Sequence, residues 1–270
     1  CVGDSEVPVF SSRNPADLPW GEMGVDYVVE STGIFRTKEA ASSHIKAGAR
    51  RVIISAPGAG EIDGTFVMGV NHQKFDPAKD FIVSNASCTT NCLAPIAKVL
   101  NDNYGIKEGL MTTIHAYTAG QNLIDGPNKD LRRARSAALN IVPTTTGAAK
   151  AIGVVLPELK GKLNGMSIRV PTPTVSLVDL TVKVANLPKD TGEVNSKFEH
   201  ASKNELNGVL GYEETPLVSK DFEGDPRSSI LDSASTYVMG SLIKVLSWYD
   251  NETGYATRVV DLAEYMAENE

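Results

Sequence analysis

Short apolar runs alternate with helix-like stretches over the first third of the chain. Continuous apolar runs lie at 25–30, 51–55 and 81–83, and the stretch 37–47 between the first two has the pattern of a helix. Near-continuous runs of Val and Ile separated by helices are typical of parallel strands that are covered on both faces. The pattern therefore predicts a doubly wound α/β sheet over this part of the chain.

Polar residues follow two of these predicted strands. Ser31 and Thr32 come after the first run, and Ser55 ends the second. Ligands of parallel sheets bind at the carboxyl ends of the strands, so these residues mark a candidate binding edge. An earlier run, Val7–Phe10, also has the character of a strand. It arrives without the elements that an α/β domain needs before it, and the chain starts at Cys1 without Met, so we expect an N-terminally truncated sequence.

Beyond residue 88 the pattern changes to long runs that alternate apolar and polar residues. The run Val175–Val184 alternates cleanly, as a strand that is buried on one face does. This pattern predicts an α+β domain with a mixed or antiparallel sheet and helices on one side. The alternating runs lie at 110–118, 166–185 and 236–249, and helices are predicted near 88–103, 147–155, 191–203 and 252–268.

Composition narrows the class of protein. The chain has 270 residues, enough for two domains, and its 41% hydrophobic and 22% charged residues are those of an ordinary globular protein. A net charge of −7 argues against an electrostatic nucleic-acid surface. Three cysteines give no disulfide framework, and no apolar stretch approaches the ~18 residues of a membrane span. Because no signal peptide is visible either, we predict a cytoplasmic chain without membrane contact.

Cys88 is the strongest candidate for chemistry. It follows the apolar run 81–83 and opens a predicted helix, with Asn85 and Ser87 as possible caps. The free N–H groups and the macrodipole at a helix start favour a thiolate, and they lower a cysteine pKa from about 8.5 toward ~4–7. The alternative is a buried structural thiol, since free cysteines are usually buried. Cys92 lies one turn further on the same face, where we predict packing and no metal site.

His115 is the candidate partner of Cys88. It lies among β-branched residues on a predicted strand, where it is either a base for the thiol or a satisfied core histidine. The other three histidines, His44, His72 and His200, lie in polar stretches or turns, and we predict surface positions for them.

Two further segments suggest anion binding. The run Thr144–Ala151 is a hydroxyl-rich turn that leads into an Ala-rich helix, which suits phosphate, although simple N-capping by threonine explains the same pattern. Arg169 interrupts an apolar run and needs an anionic partner, either a structural carboxylate or a ligand. The segment 119–143 has little periodicity and several arginines, and we predict an ordered loop that lines an interface.

Together these segments resemble the glyceraldehyde-3-phosphate dehydrogenase family. The resemblance rests on Ser84–Cys92, Thr144–Ala151, Arg169–Pro173 and Ser247–Tyr255, which occur in the family's order and spacing. It implies a homotetramer of two-domain chains. The implied domains are a doubly wound, Rossmann-type NAD domain, incomplete at its N-terminus, over 1–87 with 251–270, and an α+β catalytic domain over 88–250 with an S-shaped loop at about 117–139.

The resemblance also implies roles for individual residues. Cys88 is the implied nucleophile and His115 the base that activates it. The implied site for attacking inorganic phosphate comprises Ser87, Thr89, Thr146 and Gly147. The implied site for the substrate's own phosphate comprises Thr118, Arg169 and the nearby Arg133. The implied NAD contacts are Arg13, Thr32, Phe35, Ser55, Asn251 and Tyr255, the last of them near the nicotinamide.

The implied reaction is the NAD-dependent oxidation and phosphorylation of D-glyceraldehyde 3-phosphate to 1,3-bisphosphoglycerate. It runs through a hemithioacetal and a thioester on Cys88, and the thioester is attacked by phosphate. The family's Gly-x-Gly-x-x-Gly turn and its ribose-reading acidic residue precede the first residue of this sequence. From this we expect little activity and weak NAD binding of the chain as given.

Three other functions compete with this one. An erythrose-4-phosphate dehydrogenase shares the Cys–His pair, but the run 144–150 favours the phosphorylating enzyme. A Cys–His peptidase predicts no dinucleotide-domain strands, whereas 25–84 supplies three candidates. The third alternative is a catalytically impaired fragment with only a binding or structural role.

Overall fold

The first sheet contains only parallel strands. The structure, a computed structural model, describes residue 3 and residues 6–270, so Cys1 lies outside the described residues. Every strand pair of this four-stranded sheet is parallel, and the spatial order is β1-β2-β4-β3, with helix α1 joining β1 to β2. The elements are β1 (Tyr27–Glu30), α1 (Lys38–Lys46), β2 (Arg51–Ile54), β3 (Gly64–Thr65) and β4 (Ile82–Ser84). The predicted parallel α/β sheet is confirmed.

The predicted strand at Val7–Phe10 is wrong. Residues 6–12 form no strand, and the side chains of Val9 and Phe10 are exposed to solvent. Pro8 supplies no backbone N–H for a ladder, and an isolated run of four residues gains too little from apolar content alone to order as a strand. The apolar run is therefore irregular surface chain.

The second sheet has seven strands in the order β6-β7-β5-β8-β11-β10-β9. The pairs β5–β7 and β9–β10 are parallel and the other four are antiparallel, which confirms the mixed sheet. The elements after β4 are α2 (Cys88–Tyr104), β5 (Ile106–Ala116), β6 (Val142–Thr144), α3 (Ala148–Val155), β7 (Leu163–Val170), β8 (Ser176–Val184), α4 (Thr191–Lys203), β9 (Leu210–Glu213), β10 (Ser229–Met239), β11 (Leu242–Tyr249) and α5 (Thr253–Glu268).

Helices cover one face of this second sheet. In β8, Val178, Leu180 and Val182 alternate with half-exposed residues and pack in one core with the apolar faces of α2, α3 and α4. On the opposite face, Leu110 of β5 is 68% exposed. The predicted helices on one side are confirmed, and the other face of the sheet is open in the single chain.

Helix α5 returns to the first sheet. Its residues Val259, Leu262 and Met266 share a core with Ile53 of β2 and Val83 of β4. The end of β4 leads through a short turn into α2, whose first residue is Cys88. The thiol therefore lies where the two sheets meet. No helix in the described part of the chain is long and apolar enough to cross a membrane.

Candidate active site

A tight turn positions Cys88 at the first residue of α2. Ser87 is the N-cap, and its Oγ accepts a hydrogen bond from the Thr90 N–H at 3.1 Å. Asn91 closes the turn, since its side-chain amide donates to the carbonyl groups of Asn85 and Ser87. Ala86 has a φ of 57°, the left-handed conformation that non-glycine residues adopt rarely and that clusters at functional sites.

His115 lies beside this thiol. The Sγ of Cys88 is 3.5 Å from Nε2 of His115, which is the second-last residue of β5. His115 is buried, and its ring packs edge-on against the ring of Tyr249 at 6.0 Å between centroids. The sequence could place each residue on its own element, and the structure brings the two elements together.

Arg169 completes the group. It pairs with His115 in the register of β5 and β7, and its Nη1 lies 2.7 Å from His115 Nδ1 and donates to the carbonyl of Ala116 at 2.9 Å. Its Nε is buried and has no hydrogen-bond partner among the described residues. Of the two partners expected for Arg169, the described residues supply no carboxylate. A half-buried guanidinium with a buried, unused donor favours a ligand anion.

Burial controls both pKa values of the pair. Burial first, and then the neighbouring Arg169 charge, lower the pKa of His115 to about 4. Burial also raises the pKa of the Cys88 thiol, and this outweighs the lowering by hydrogen bonds from Thr89 and by Arg169. The expected lowering of the thiol pKa is therefore wrong for the ligand-free chain. The helix start still lowers the pKa of the Cys88 thiol, but desolvation raises it by more.

The candidates for the substrate's phosphate lie near one another. A side chain at Gly120 would meet Thr118 Oγ1 at 3.6 Å and Arg133 Nη1 at 3.8 Å, so these two groups face the same space. Arg133 is also near enough to Arg169 for its charge to lower the pKa of that guanidinium. Arg133 is held by the hydroxyl of Thr144, to which its Nε donates at 2.8 Å.

The candidates for attacking phosphate have different environments. Ser87 Oγ and Thr146 Oγ1 accept backbone N–H groups at the starts of α2 and α3, and Gly147 is the N-cap residue of α3. Thr89 is buried, and its hydroxyl lies 2.9 Å from the hydroxyl of Tyr249. The same Tyr249 hydroxyl lies 2.8 Å from Thr113 Oγ1. Sequence reasoning did not single out Tyr249 or Thr113, because both read as ordinary strand residues.

Candidates for cofactor contact lie at the carboxyl ends of β1 and β2. The Ser55 hydroxyl donates to Ser31 Oγ at 3.0 Å, and the Thr32 N–H donates to the Glu30 carboxylate at 2.7 Å. Phe35 packs edge-on against His44 at 6.2 Å between ring centroids.

Two further cofactor candidates lie in α5 or just before it. The Tyr255 hydroxyl donates to the carbonyl of Ala86 at 3.0 Å, and Asn251 accepts from the Ser176 hydroxyl at 2.7 Å. Arg13 is different: it is exposed, and no hydrogen bond or ion pair joins it to the described residues.

Two predicted positions of the other histidines are corrected by the structure. His44 is 5% exposed, since its Nε2 lies 2.8 Å from the buried Glu30 carboxylate and its Nδ1 accepts from the Trp20 indole at 3.1 Å. His72 is half-buried against Tyr265, and only His200 is fully at the surface. His44 and Ala41 are the buried residues of α1, and the linear pattern could not separate His44 from its more exposed polar neighbours.

Comparison with known proteins identifies the family. Residues 87–251 match the model of the glyceraldehyde 3-phosphate dehydrogenase C-terminal domain, and residues 1–38 match that of the NAD binding domain. The chain is 58% identical over 267 residues to glyceraldehyde-3-phosphate dehydrogenase 1 of Bacillus subtilis, covering 98% of this chain and 79% of the relative. The enzyme of Geobacillus stearothermophilus is also 58% identical, over 269 residues with the same coverage. The chain therefore belongs to the glyceraldehyde-3-phosphate dehydrogenase family.

Proposed function

We propose that this protein catalyses the NAD-dependent oxidation and phosphorylation of D-glyceraldehyde 3-phosphate to 1,3-bisphosphoglycerate. The observation that carries the proposal is the contact of Cys88 with His115, with Arg169 on the far side of the imidazole. A thiol, a base and an uncompensated guanidinium in one site suit acyl chemistry on a phosphorylated aldehyde. Oxidation through a thioester uses all three groups.

The proposed mechanism starts with His115 accepting the thiol proton of Cys88. The thiolate adds to the substrate aldehyde, and N–H groups at the start of α2 stabilise the oxyanion of the hemithioacetal. Loss of hydride leaves a thioester on Cys88. Phosphate held by the hydroxyls of Ser87, Thr89 and Thr146 and by the N–H of Gly147 then attacks the thioester. Thr118, Arg133 and Arg169 hold the substrate's own phosphate during these steps.

NAD fits the donor groups at the carboxyl ends of β1 and β2. The adjacent hydroxyls of Ser31 and Ser55, with Thr32 fixed on Glu30, present polar groups where parallel sheets bind dinucleotides. Thr32, Phe35, Ser55 and Arg13 would hold the adenosine side, and Asn251 and Tyr255 the nicotinamide side. When bound, the nicotinamide supplies the hydride acceptor.

We also propose that the chain divides into two domains and that copies of it assemble. Residues 1–87 with 251–270 form the NAD domain and 88–250 the catalytic domain, supported by the packing of α5 on the first sheet. Four copies of the chain associate through the open face of the second sheet and the loop 117–139, where large apolar side chains such as Leu110, Leu131 and Leu139 are exposed. We place the enzyme in the cytoplasm.

The fold argues against the peptidase function, and the site gives no support to the erythrose-4-phosphate dehydrogenase function. The strands β1, β2 and β4 form a parallel sheet, and polar groups gather at the carboxyl ends of its strands. A Cys–His peptidase would not need such a sheet. For an erythrose-4-phosphate dehydrogenase, no contact of the site speaks in its favour over the phosphorylating enzyme.

Replacing Cys88 with Ser tests the proposed function. A serine hydroxyl is not deprotonated near neutral pH, so arsenate-supported NADH formation from glyceraldehyde 3-phosphate should fall to background. The matched control is Cys92→Ser, because Cys92 is buried one turn away and contacts Ser229 and the carbonyl of Ser247 rather than His115. Activity retained in Cys88→Ser would overturn the assignment.

A further inference from the structure

Asparagine is followed directly by glycine at two places in the sequence, Asn164–Gly165 and Asn207–Gly208. Such a pair can modify itself, because glycine has no side chain that keeps its backbone nitrogen away from the asparagine amide. The nitrogen attacks the side-chain amide carbon, ammonia leaves, and a cyclic succinimide forms, which water opens to aspartate or isoaspartate. Both pairs follow a leucine, so their local sequences are alike and the fold decides which of them reacts.

The pair Asn207–Gly208 is free to react. It lies in the turn between α4 and β9, and both of its residues are exposed to solvent. Neither the Asn207 side chain nor the Gly208 N–H forms a hydrogen bond with any residue that the structure describes. A side chain at Gly208 would meet no atom within 4 Å, so the space around this backbone nitrogen is open to the amide and to water.

The pair Asn164–Gly165 is held in strand β7. In the parallel register with β5, Asn164 lies opposite Leu110 and Gly165 opposite Met111. The Gly165 N–H donates to Asn164 Oδ1 at 2.9 Å, and this bond retains the proton that must leave before the nitrogen attacks carbon. A Cβ on Gly165 would collide with the carbonyl oxygen of Met111, so the backbone here has no room to turn. Ring closure would therefore require this part of β7 to leave the sheet.

The carbonyl group of Gly208 is the partner of a buried arginine in α5. Arg258 Nη1 donates to it at 3.1 Å, and Nη2 pairs with Asp261 at 2.7 Å. Arg258 is 5% exposed, and its Nε is buried without a partner among the described residues. Because α5 packs on the first sheet, the bond from Arg258 joins that sheet to the turn that precedes β9 of the second sheet. Loss of this bond would leave a second donor of Arg258 unsatisfied.

We propose that Asn207 is a site of spontaneous deamidation, and that its isoaspartyl product weakens the join between α5 and the second sheet. In the first step the Gly208 nitrogen loses its proton and bonds to Cγ of Asn207, and the amide NH2 leaves with a proton as ammonia. Water then breaks the bond from this nitrogen to the former backbone carbonyl carbon, which becomes a free carboxylate. The chain now runs through Cβ and Cγ of residue 207, one atom longer, and this displaces the Gly208 carbonyl from Arg258.

Ageing of the whole protein in warm, neutral buffer tests the site. Peptide mass spectrometry follows the replacement of the amide NH2 by OH, and methyl transfer by an isoaspartyl methyltransferase counts the isoaspartate. In the folded protein we expect Asn207 to deamidate at least roughly tenfold faster than Asn164, because only Asn164 must first break strand contacts. In urea both segments are unfolded, so the two rates should be equal within about a factor of 2. Equal rates in the folded protein, or an unmodified Asn207, would overturn the site.

Asn207→Gln is the matched variant, because glutamine would have to close a larger and less favourable ring. Ageing should shift the urea midpoint of wild type to lower concentration and leave that of Asn207→Gln unchanged. Asn164→Gln is the control and should age like wild type. Asn207→Asp carries the new charge without the longer backbone, and it should unfold like fresh wild type. A loss in Asn207→Asp equal to that of aged wild type would overturn the role of the isoaspartyl backbone.

Hydrogen exchange locates the effect of ageing within the chain. Amides of α5 should exchange faster in aged wild type than in fresh wild type, since Arg258 has lost its partner in the turn before β9. Amides of β5, which the turn does not contact, should exchange at an unchanged rate. Unchanged exchange in α5 of protein that carries isoaspartate at residue 207 would overturn the weakened join. None of these measurements depends on the proposed function.

Discussion

At the scale of single residues, the site is governed by what burial does to ionisable groups. Cys88 and His115 are in contact, and burial raises the pKa of the thiol and lowers that of the imidazole.

The buried imidazole has a consequence for stability. The pKa of His115 is about 4 in the folded chain, against 6.5 in the unfolded chain. Between these values the unfolded chain binds more protons, so the free energy of unfolding falls as the pH drops from 6.5 to 4, by up to ~3 kcal/mol. Urea unfolding at several pH values should show this slope, and His115→Gln should flatten it. The exposed His200→Gln is the control, and an unchanged slope in His115→Gln would contradict the expectation.

The Tyr249 hydroxyl joins two elements through Thr89 and Thr113, all within the core. Tyr249→Phe keeps the ring but leaves two buried threonine hydroxyls without this partner. We expect a loss of about 1–3 kcal/mol in the free energy of unfolding, since unsatisfied buried polar groups cost that much. Tyr237→Phe, at an exposed ring on β10, should cost almost nothing in the same urea titration. Equal losses in both variants would rule out the buried network as the cause.

At the scale of elements, the start of α2 combines a structural and a proposed catalytic role. Ser87→Ala removes the N-cap oxygen and should cost about 1 kcal/mol of stability. Because we place the same hydroxyl at the attacking phosphate, the Michaelis constant for phosphate should also rise. Asp190→Ala removes the N-cap of α4, where Asp190 accepts from the Glu193 N–H at 2.9 Å. It should lower the melting temperature comparably and leave the phosphate dependence unchanged; a change in both variants would make the Ser87 effect purely structural.

Periodicity predicted the elements where burial follows a regular rule along the chain. The alternation of β8 and the apolar stripe of α5 can be read from the sequence because each has one buried face. The alternating run 166–185 is in fact two strands, β7 and β8, because Pro171 and Pro173 interrupt it. The short strands β6 and β9 were not predicted, since three or four residues hold too little of any period. Val7–Phe10 shows the opposite error, an apolar run without a partner strand.

The site could be predicted residue by residue but not as an arrangement. Cys88 at a helix start is a local signal, and so is an arginine that interrupts a strand. The pairing of His115 with Arg169 is not local, because it depends on the parallel register of β5 and β7 across a long connection. Neither the burial that raises the Cys88 pKa nor the position of His44 under Trp20 is visible in a linear pattern.

At the scale of the whole molecule, the two sheets meet at the site through a few hydrogen bonds. The Ser176 hydroxyl at the start of β8 accepts from the Ala116 N–H and donates to Asn251, just before α5. The hydroxyl of Tyr255 joins α5 to the turn before Cys88 through a hydrogen bond to the carbonyl of Ala86. The proposed cofactor side and the proposed catalytic side are thus connected through the backbone of Ala116, next to His115, and of Ala86, in the turn before Cys88.

We expect the open face of the second sheet to be a contact between subunits. Leu110 is 68% exposed near the middle of this face, and covering such an apolar surface favours association of copies. Wild type should sediment with four times the chain mass of 28.8 kDa. Leu110→Asp would bury a carboxylate in each contact and should shift sedimentation velocity profiles to smaller species. Val260→Asp, at a 55% exposed position on α5, is the matched control and should keep the wild-type profile. A wild-type profile at 28.8 kDa, or no response to Leu110→Asp, would show that this face is not the subunit contact.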